Sequence, residues 1–566
     1  MATNNKFIYE IPSAPEEVNL TQSIGIIPKI ASFTTVQSYV DRLRIHDPVI
    51  RVYAIKALIN KGVRFNDEVL TVAMHVAQMS SYVRQLLVPE LIRLFRFDLI
   101  DRIIEMEKQL SDKVGELAKI LMQKQFENNY AEQVALHELL FLQTGDMYHA
   151  NLAANISRER LPWKEALKHN IRLLFLQNEH TLQSSLLNLM QFLERESAKD
   201  VFMALSPIIH SLEEHKLVRV YIIAMKYYWN KDYENCINFL KTSNALESLR
   251  EQTFLISNIA AKCYEKLGDY KKSAIWYELQ NKAQVDERYK PEVFIQRLNE
   301  RANLENPKPI PDKHDRYFIM TGFPRSGTTL LENALNAHPD IATCEETSSM
   351  IGSFNTAFTA PMEKDPECTK LMLRLAFHQS LYYKDIDRFV NKPDAKAIID
   401  KTPIISANIK YMEKILPNKH YIFSIRHPYD VVLSNIKQVY AQNSAMTAFN
   451  DIHNACILYN KVMSDWFDVF PRETGRVCYI KYDDLVMDFR QQMERAIRFL
   501  GVEWTDEVLN FVKHAEQRPV RTPSYDNVRK GLTIGVQSSW KNFEFLFDDR
   551  CHELLDPWVK KFGYSL

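Results

Sequence analysis

The chain has 566 residues, too many for one ordinary domain, so about two to four are expected. Lysine plus arginine and aspartate plus glutamate both number 71, and this zero formal charge excludes a polyanion binder acting through its whole surface, leaving room only for a local basic cleft. The hydrophobic share of 46% is ample for sizeable cores, and only 13 glycines fit a mostly helical chain.

Met1 to Leu20 is polar and has no apolar core of the kind a signal peptide needs. No apolar run approaches the ~20 residues of a membrane helix. The seven cysteines are scattered and read as reduced core thiols. The expectation is a cytoplasmic protein with neither membrane nor nucleic acid as partner. The sixteen histidines show no metal-ligand spacing such as His-Glu-x-x-His, so no metal site is expected.

Residues 1–310 carry helical periodicity almost throughout. Residues 38–120 read as a helical cap, with a weak HEAT-like hint in Asp47-Pro-Val-Ile-Arg51 followed by Ala54 and Ala57. Further on, Ala261, Tyr264, Leu267, Gly268, Tyr270, Ala274 and Tyr277 alternate small and aromatic residues as a tetratricopeptide (TPR) helix pair does. Ala224, Tyr227, Asp232, Tyr233 and Ile237 repeat the pattern, and Ala131 to Tyr148 reads as a further copy. One such pair cannot bury its own apolar face, so neighbours must stack into an array whose groove could hold a protein partner.

The segment Asn306 to Asp312 places Pro307, Pro309 and Pro311 at alternate positions, a stiff linker that no helix crosses. Residues 311–566 then alternate strand-like and helical runs. Tyr317–Thr321, Ala395–Asp400, Tyr421–Ile425 and Val477–Lys481 read as strands, and Leu330–Ala337 as the first helix. Strands separated by helices imply βαβ units, a mostly parallel sheet, and a ligand site at the strands' carboxyl ends. The fold class expected is therefore an all-helical, TPR-like array followed by an α/β, P-loop-like domain.

The loop after the first strand reads Gly322-Phe-Pro-Arg-Ser-Gly-Thr-Thr329. Backbone N–H groups of such a strand–loop–helix turn converge on one point, with the positive end of the helix dipole behind them. This is a cradle for a phosphate-like anion. It has the Gly-x-x-x-x-Gly spacing of a Walker A loop, but Thr328 stands where an NTPase needs lysine, and the cation sits inside the loop at Arg325. Other candidates fall at later strand ends. Glu345 and Glu346 are adjacent carboxylates, of which one can face the site as a general base while the other faces solvent. Lys401 can reach an oxygen between two anionic groups. Arg426, with Ser434 eight residues on, suits a phosphate monoester. Tyr482 could stack on a base or donate to a phosphate.

In this order the motifs resemble the sulfotransferase superfamily that uses 3′-phosphoadenosine 5′-phosphosulfate (PAPS). They most resemble the tyrosylprotein sulfotransferases and the bacterial sulfotransferases with N-terminal TPR repeats. Gly322 to Thr329 is similar to the family's 5′-phosphosulfate loop, and Arg426 with Ser434 to its 3′-phosphate motif. Ala337-His-Pro-Asp340 with Glu345-Glu346-Thr347, and Tyr482-Asp-Asp-Leu-Val486 with Phe499-Leu-Gly501, match the tyrosylprotein pattern. The resemblance spans roughly residues 315–566. It implies PAPS as cofactor, Glu346 as base, and Lys401 and Arg325 as the cations of catalysis. It further implies that Ser326, Gly327, Thr328, Thr329 and Leu330 hold the 5′ end, and that Ser524, Lys530 and Lys541 lie near the cofactor. The acceptor is a hydroxyl, of a peptide tyrosine or another alcohol or phenol. Three departures stand out. The tyrosylprotein enzymes carry a membrane helix, and no such run is seen here. Ser539, not a basic residue, precedes Trp540, and Ser348 replaces an arginine frequent after Glu-Glu-Thr. Two other readings are a P-loop kinase or NTPase, and a catalytically silent TPR scaffold. Both must explain Arg325, Glu346, Lys401, Arg426 and Ser434 together.

Overall fold

The structure, a computed structural model, describes residues 36–63, 65–94, 96–108, 120, 130–177, 179–207, 216–243, 253–303, 315–345, 382–384, 386–387, 389–390, 392–516 and 538–566. It has two compact units, Met1–Lys226 with Arg518–Arg521, and Tyr227–Gln517 with Thr522–Leu566.

The first unit is helical among the described residues, from Val36–Leu43 and Pro48–Asn60 to Lys199–Leu205. Its helix starts are written locally. The Asp47 carboxylate accepts from the amides of Val49 (3.0 Å) and Ile50 (3.1 Å), and Pro48 occupies the first position, where no donor is needed. Asn66, Ser80 and Asp146 cap later helices in the same way. Val52, Ala54, Ile55 and Leu58, at helical spacing, are fully buried. Asp47 also accepts from Arg172 Nε at 2.6 Å, a contact between distant helices that sequence periodicity does not show.

The second unit opens with the helices Tyr233–Thr242, Thr253–Lys266, Tyr270–Gln284 and Pro291–Ala302. Thr253–Lys266 and Tyr270–Gln284 form a hairpin whose Ala261, Tyr264, Ala274 and Tyr277 are buried, as the small and aromatic alternation requires. The helical character of the N-terminal half holds, and the tetratricopeptide assignment stays with the proposals below.

The sheet of this unit has five parallel strands among the described residues: β1 (Tyr317–Gly322), β2 (Ile341–Glu345), β3 (Ala397–Lys401), β4 (His420–Ile425) and β5 (Val477–Lys481). Their order is β2-β3-β1-β4-β5. Side chains alternate between two cores. Tyr317 and Ile319 join the cluster containing Tyr421 and Trp466, while Phe318 and Met320 join the one containing Leu331 and Met493. Both faces are therefore covered, as a parallel sheet requires. β1 is central, with the chain leaving it first to one side and then to the other, so the loop after β1 sits at the topological switch point.

The expected mostly parallel sheet is present. β3 begins and ends later than the predicted Ala395–Asp400, and the first helix runs Thr328–Asn336. β2 is not among the four strands expected from the sequence. Ile-Ala-Thr-Cys-Glu has too little periodicity to declare a strand, and its extended form is fixed by pairing with β3 from Ile341↔Ala397 to Glu345↔Lys401.

Candidate active site

The loop between β1 and its helix is held in shape by its carbonyls. Gly322 O accepts from Ser406 Oγ (3.0 Å), Pro324 O from Asn435 Nδ2 (2.9 Å), Arg325 O from an Arg426 guanidinium nitrogen (3.5 Å) and Ser326 O from Ser424 Oγ (2.7 Å). Four successive acceptors, Phe323 excepted, are thus drawn outward by side chains of the surrounding elements. The Thr328 to Leu330 amides lie ahead of the helix's first acceptor, Gly327 O, which takes the Leu331 N–H at 3.3 Å. This is the arrangement an anion cradle needs.

Two residues here have left-handed backbone, Arg325 (φ 73°) and Gly327 (φ 100°). For a non-glycine this costs on the order of 1–2 kcal/mol. Strain of this kind concentrates at functional sites, and here it accompanies a specific placement: Arg325 Nε donates to Ser434 Oγ at 3.1 Å. At Gly327 a Cβ would overlap the Tyr482 ring. We expect Gly327→Ala to weaken binding of adenosine 3′,5′-bisphosphate at least about tenfold, since it adds this overlap to about 1–2 kcal/mol of backbone strain. Titration calorimetry checks this, and unchanged affinity would show that the Tyr482 ring yields.

The Tyr482 ring that covers Gly327 also lies 4.9 Å from the Arg426 guanidinium carbon. Arg325, Arg426, Ser434 and Tyr482, from three separate sequence segments, therefore meet at one place. Ser326 Oγ is buried and has no hydrogen-bond partner. An unsatisfied buried hydroxyl in the cradle is an observation a bound anion explains. Thr328, Thr329 and Leu330 are also buried, at the helix start.

Lys401 departs from expectation in its partner. It is the last residue of β3, its side chain is 0% exposed, and its Nζ lies 3.0 Å from Glu345 Oε1, whose side chain is 1% exposed. The lysine is thus a buried member of an ion pair between adjacent strands. Glu345, passed over in favour of Glu346, does not face solvent. The missed signal is positional: both residues end parallel strands, and only the register Glu345↔Lys401 brings them side by side. Glu346, Ser524 and Lys530 lie outside the described residues. Tyr382 and Tyr383 are buried in the core, with Tyr382 donating to Asp400 Oδ2 at 3.0 Å.

The C-terminal segment reaches the site through Asp430. Its carboxylate accepts from Ser538 N (3.1 Å), Ser539 Oγ (2.9 Å) and Trp540 N (3.0 Å). The serine that replaces the usual basic residue thus ties this segment to the helix Pro428–Ile436, which follows Arg426. Trp540 stacks on Tyr429 with centroids 4.4 Å apart, and on His427 at 5.4 Å. Burial draws His427 below its ordinary range, so it serves as a neutral ring here. Lys541 is exposed, its Nζ 5.9 Å from the Trp540 centroid.

Sequence reasoning also missed the support at the other end of that helix. Asn281 Nδ2 donates to Ile436 O (3.1 Å), Asn258 Nδ2 to Lys437 O (3.3 Å) and Gln280 Nε2 to Gln438 O (3.0 Å), while Lys437 Nζ meets Glu265 Oε1 at 3.0 Å. Buried amides of the helical hairpin thus cap the helix that presents Ser434. The available signal was a cluster of amide residues, Gln280, Asn281 and Gln284, on an otherwise apolar face.

A model of the sulfotransferase family matches residues 318–506. An uncharacterized protein of Aquifex aeolicus is 27% identical over 297 residues, 48% of this chain and 36% of its own length. Protein-tyrosine sulfotransferase A of Caenorhabditis elegans is 24% identical over 223 residues, 38% of this chain and 56% of its own length. The sulfotransferase domain of the Synechococcus PCC 7002 olefin synthase aligns with 47% of this chain and 98% of its own, at 20% identity and a TM-score of 0.28. The chain thus spans about a third to a half of the length of the first two relatives.

Proposed function

We propose that this chain, a member of the sulfotransferase superfamily, moves a sulfuryl group from PAPS to a hydroxyl acceptor. The observation that carries the reading is the convergence of Arg325, Ser434, Arg426 and Tyr482 on a loop whose carbonyls are held outward. The residues fit an anionic nucleotide on two counts: the orphaned Ser326 hydroxyl and the cradle at Gly327 that a Cβ would fill. When bound, the cofactor supplies an activated sulfuryl group.

The chain's own residues divide the work. The amides of Ser326 to Leu330, with Arg325, hold the 5′ end. The Thr328 and Thr329 hydroxyls steady its oxygens. Arg426 and Ser434 grip the 3′-phosphate, remote binding energy that aligns the reacting end. Arg325, bonded to Ser434, links the two ends. Tyr482 fixes the Arg426 guanidinium, and Ser524, Lys530 and Lys541 complete the nucleotide's surroundings. Lys401 supplies positive charge beside the cradle. Glu346 takes the proton from the acceptor oxygen. The nematode relative's name supports a tyrosine phenol as acceptor. The N-terminal helices, read as a TPR-like array, present the acceptor protein, and the protein works in the cytoplasm. No helix of the described residues is long and apolar enough to cross a membrane.

We expect Arg426→Ala to weaken adenosine 3′,5′-bisphosphate binding by about 1.5–3 kcal/mol, the worth of a hydrogen bond to a charged group. Titration calorimetry reads this directly. The decisive experiment pairs transfer of labelled sulfate from PAPS to a tyrosine peptide with a binding comparison against ATP and Mg²⁺. Transfer together with weak ATP binding supports the reading. Tight ATP binding without transfer would return the NTPase alternative.

A further inference from the structure

The helices Ile452–Val469 and Asp549–Lys561 meet near their N-terminal ends. On the first, His453 and Cys456 stand one turn apart and so share a face. On the second, Asp548 is the N-cap, its Oδ1 accepting the Cys551 N–H at 3.1 Å, and Cys551 projects from the first turn. His453 Nε2 lies 2.8 Å from Asp548 Oδ2. The donor atoms of His453, Asp548 and Cys551 all lie within 4.8 Å of one another. Cys456 neighbours Cys551, and this neighbour together with burial pushes its thiol up. Both cysteines are fully buried, whereas the imidazole and carboxylate are 36% and 57% exposed. The result is a thiol floor with a polar rim open to entry.

The geometry points to a site for a thiophilic divalent cation of the zinc type, held by His453, Cys456, Asp548 and Cys551. Two sulfurs, one imidazole and one carboxylate form a donor set that zinc takes tetrahedrally, at about 2.0–2.3 Å. Such bonds set donors somewhat over 3 Å apart, so the three donors within 4.8 Å, His453, Asp548 and Cys551, need only a modest contraction around the ion and a slight opening of the His453–Asp548 contact, while Cys456 must move in from outside that group as the fourth ligand. Binding releases the two thiol protons and the proton shared by His453 and Asp548. Nothing is oxidised or reduced. The ion would clamp the C-terminal helix, whose His552 Nδ1 lies 2.6 Å from Tyr429 Oη, to the helix beneath the Arg426 segment. Linear spacing hides the site because each half offers only two ligands.

The test uses the full chain, reduced and stripped with a chelator, then dialysed against zinc alone and separately against cobalt(II). Expected are one ion per chain, a thiolate-to-cobalt charge-transfer band, and a higher melting temperature with zinc. Cys456→Ser should weaken the band by about half, since Cys551 remains as the second thiolate. His453→Gln, at an exposed position that leaves the core intact, should weaken zinc retention by more than about tenfold. No retained ion, retention indifferent to both substitutions, or a Cys456–Cys551 disulfide forming in place of metal uptake would each overturn the assignment. None of these readouts depends on sulfuryl transfer.

Discussion

Lys401→Met should lower unfolding stability by about 3–5 kcal/mol, because it leaves the Glu345 carboxylate buried without its cation. Adding Glu345→Leu should recover most of that loss, since replacing both members of a buried ion pair with apolar groups of similar volume is often neutral or better. Turnover should behave differently. It should fall by about 10²–10³-fold in the single variant and stay low in the double, because the charge placed beside the anion cradle is absent from both. Denaturant unfolding gives the first quantity and labelled-sulfate transfer the second. A double variant that regains both stability and turnover would reduce Lys401 to a structural cation. The pairing also bears on the field of the site. On the proposed reading, Glu345 would cancel much of the lysine's charge at a distance, leaving Lys401 to act only on a group within a few ångströms and Arg325 and Arg426 to attract the nucleotide from further away.

Glu346→Ala should lower kcat by about 10²–10⁴-fold while adenosine 3′,5′-bisphosphate binds as before. The family resemblance implies Glu346 as the base, and Glu345, its neighbour, is buried against Lys401. Glu345→Gln makes the comparison sharp: its expected signature is lost stability, whereas that of Glu346→Ala is lost turnover in a protein that folds normally. Wild-type turnover in Glu346→Ala would refute the assignment, and a loss confined to Glu345→Gln at unchanged stability would exchange the two roles.

Much of this site was legible because its chemistry is local. Gly322 to Thr329 contains the whole cradle in one stretch, and a strand, a glycine turn and a helix start are each declared by neighbouring residues. Arg426 and Ser434 were legible for the same reason, lying eight residues apart across one strand-to-helix junction. The roles of Glu345, Asp430 and Asn281 were not, since their partners Lys401, Trp540 and Ile436 are distant in sequence and a carboxylate or amide looks alike whether solvated or buried.

The sequence by itself therefore determined four of the strands in the second half and the strand–loop–helix turn that carries Arg325, because backbone dihedrals and hydrophobic period are short-range properties. Tertiary structure alone decided that β2 is a strand, that Lys401 is sequestered by a carboxylate, and that a helical hairpin caps the helix bearing Ser434. Each of these depends on strand register or on satisfying buried polar groups, and those are set by what lies across the fold from a residue.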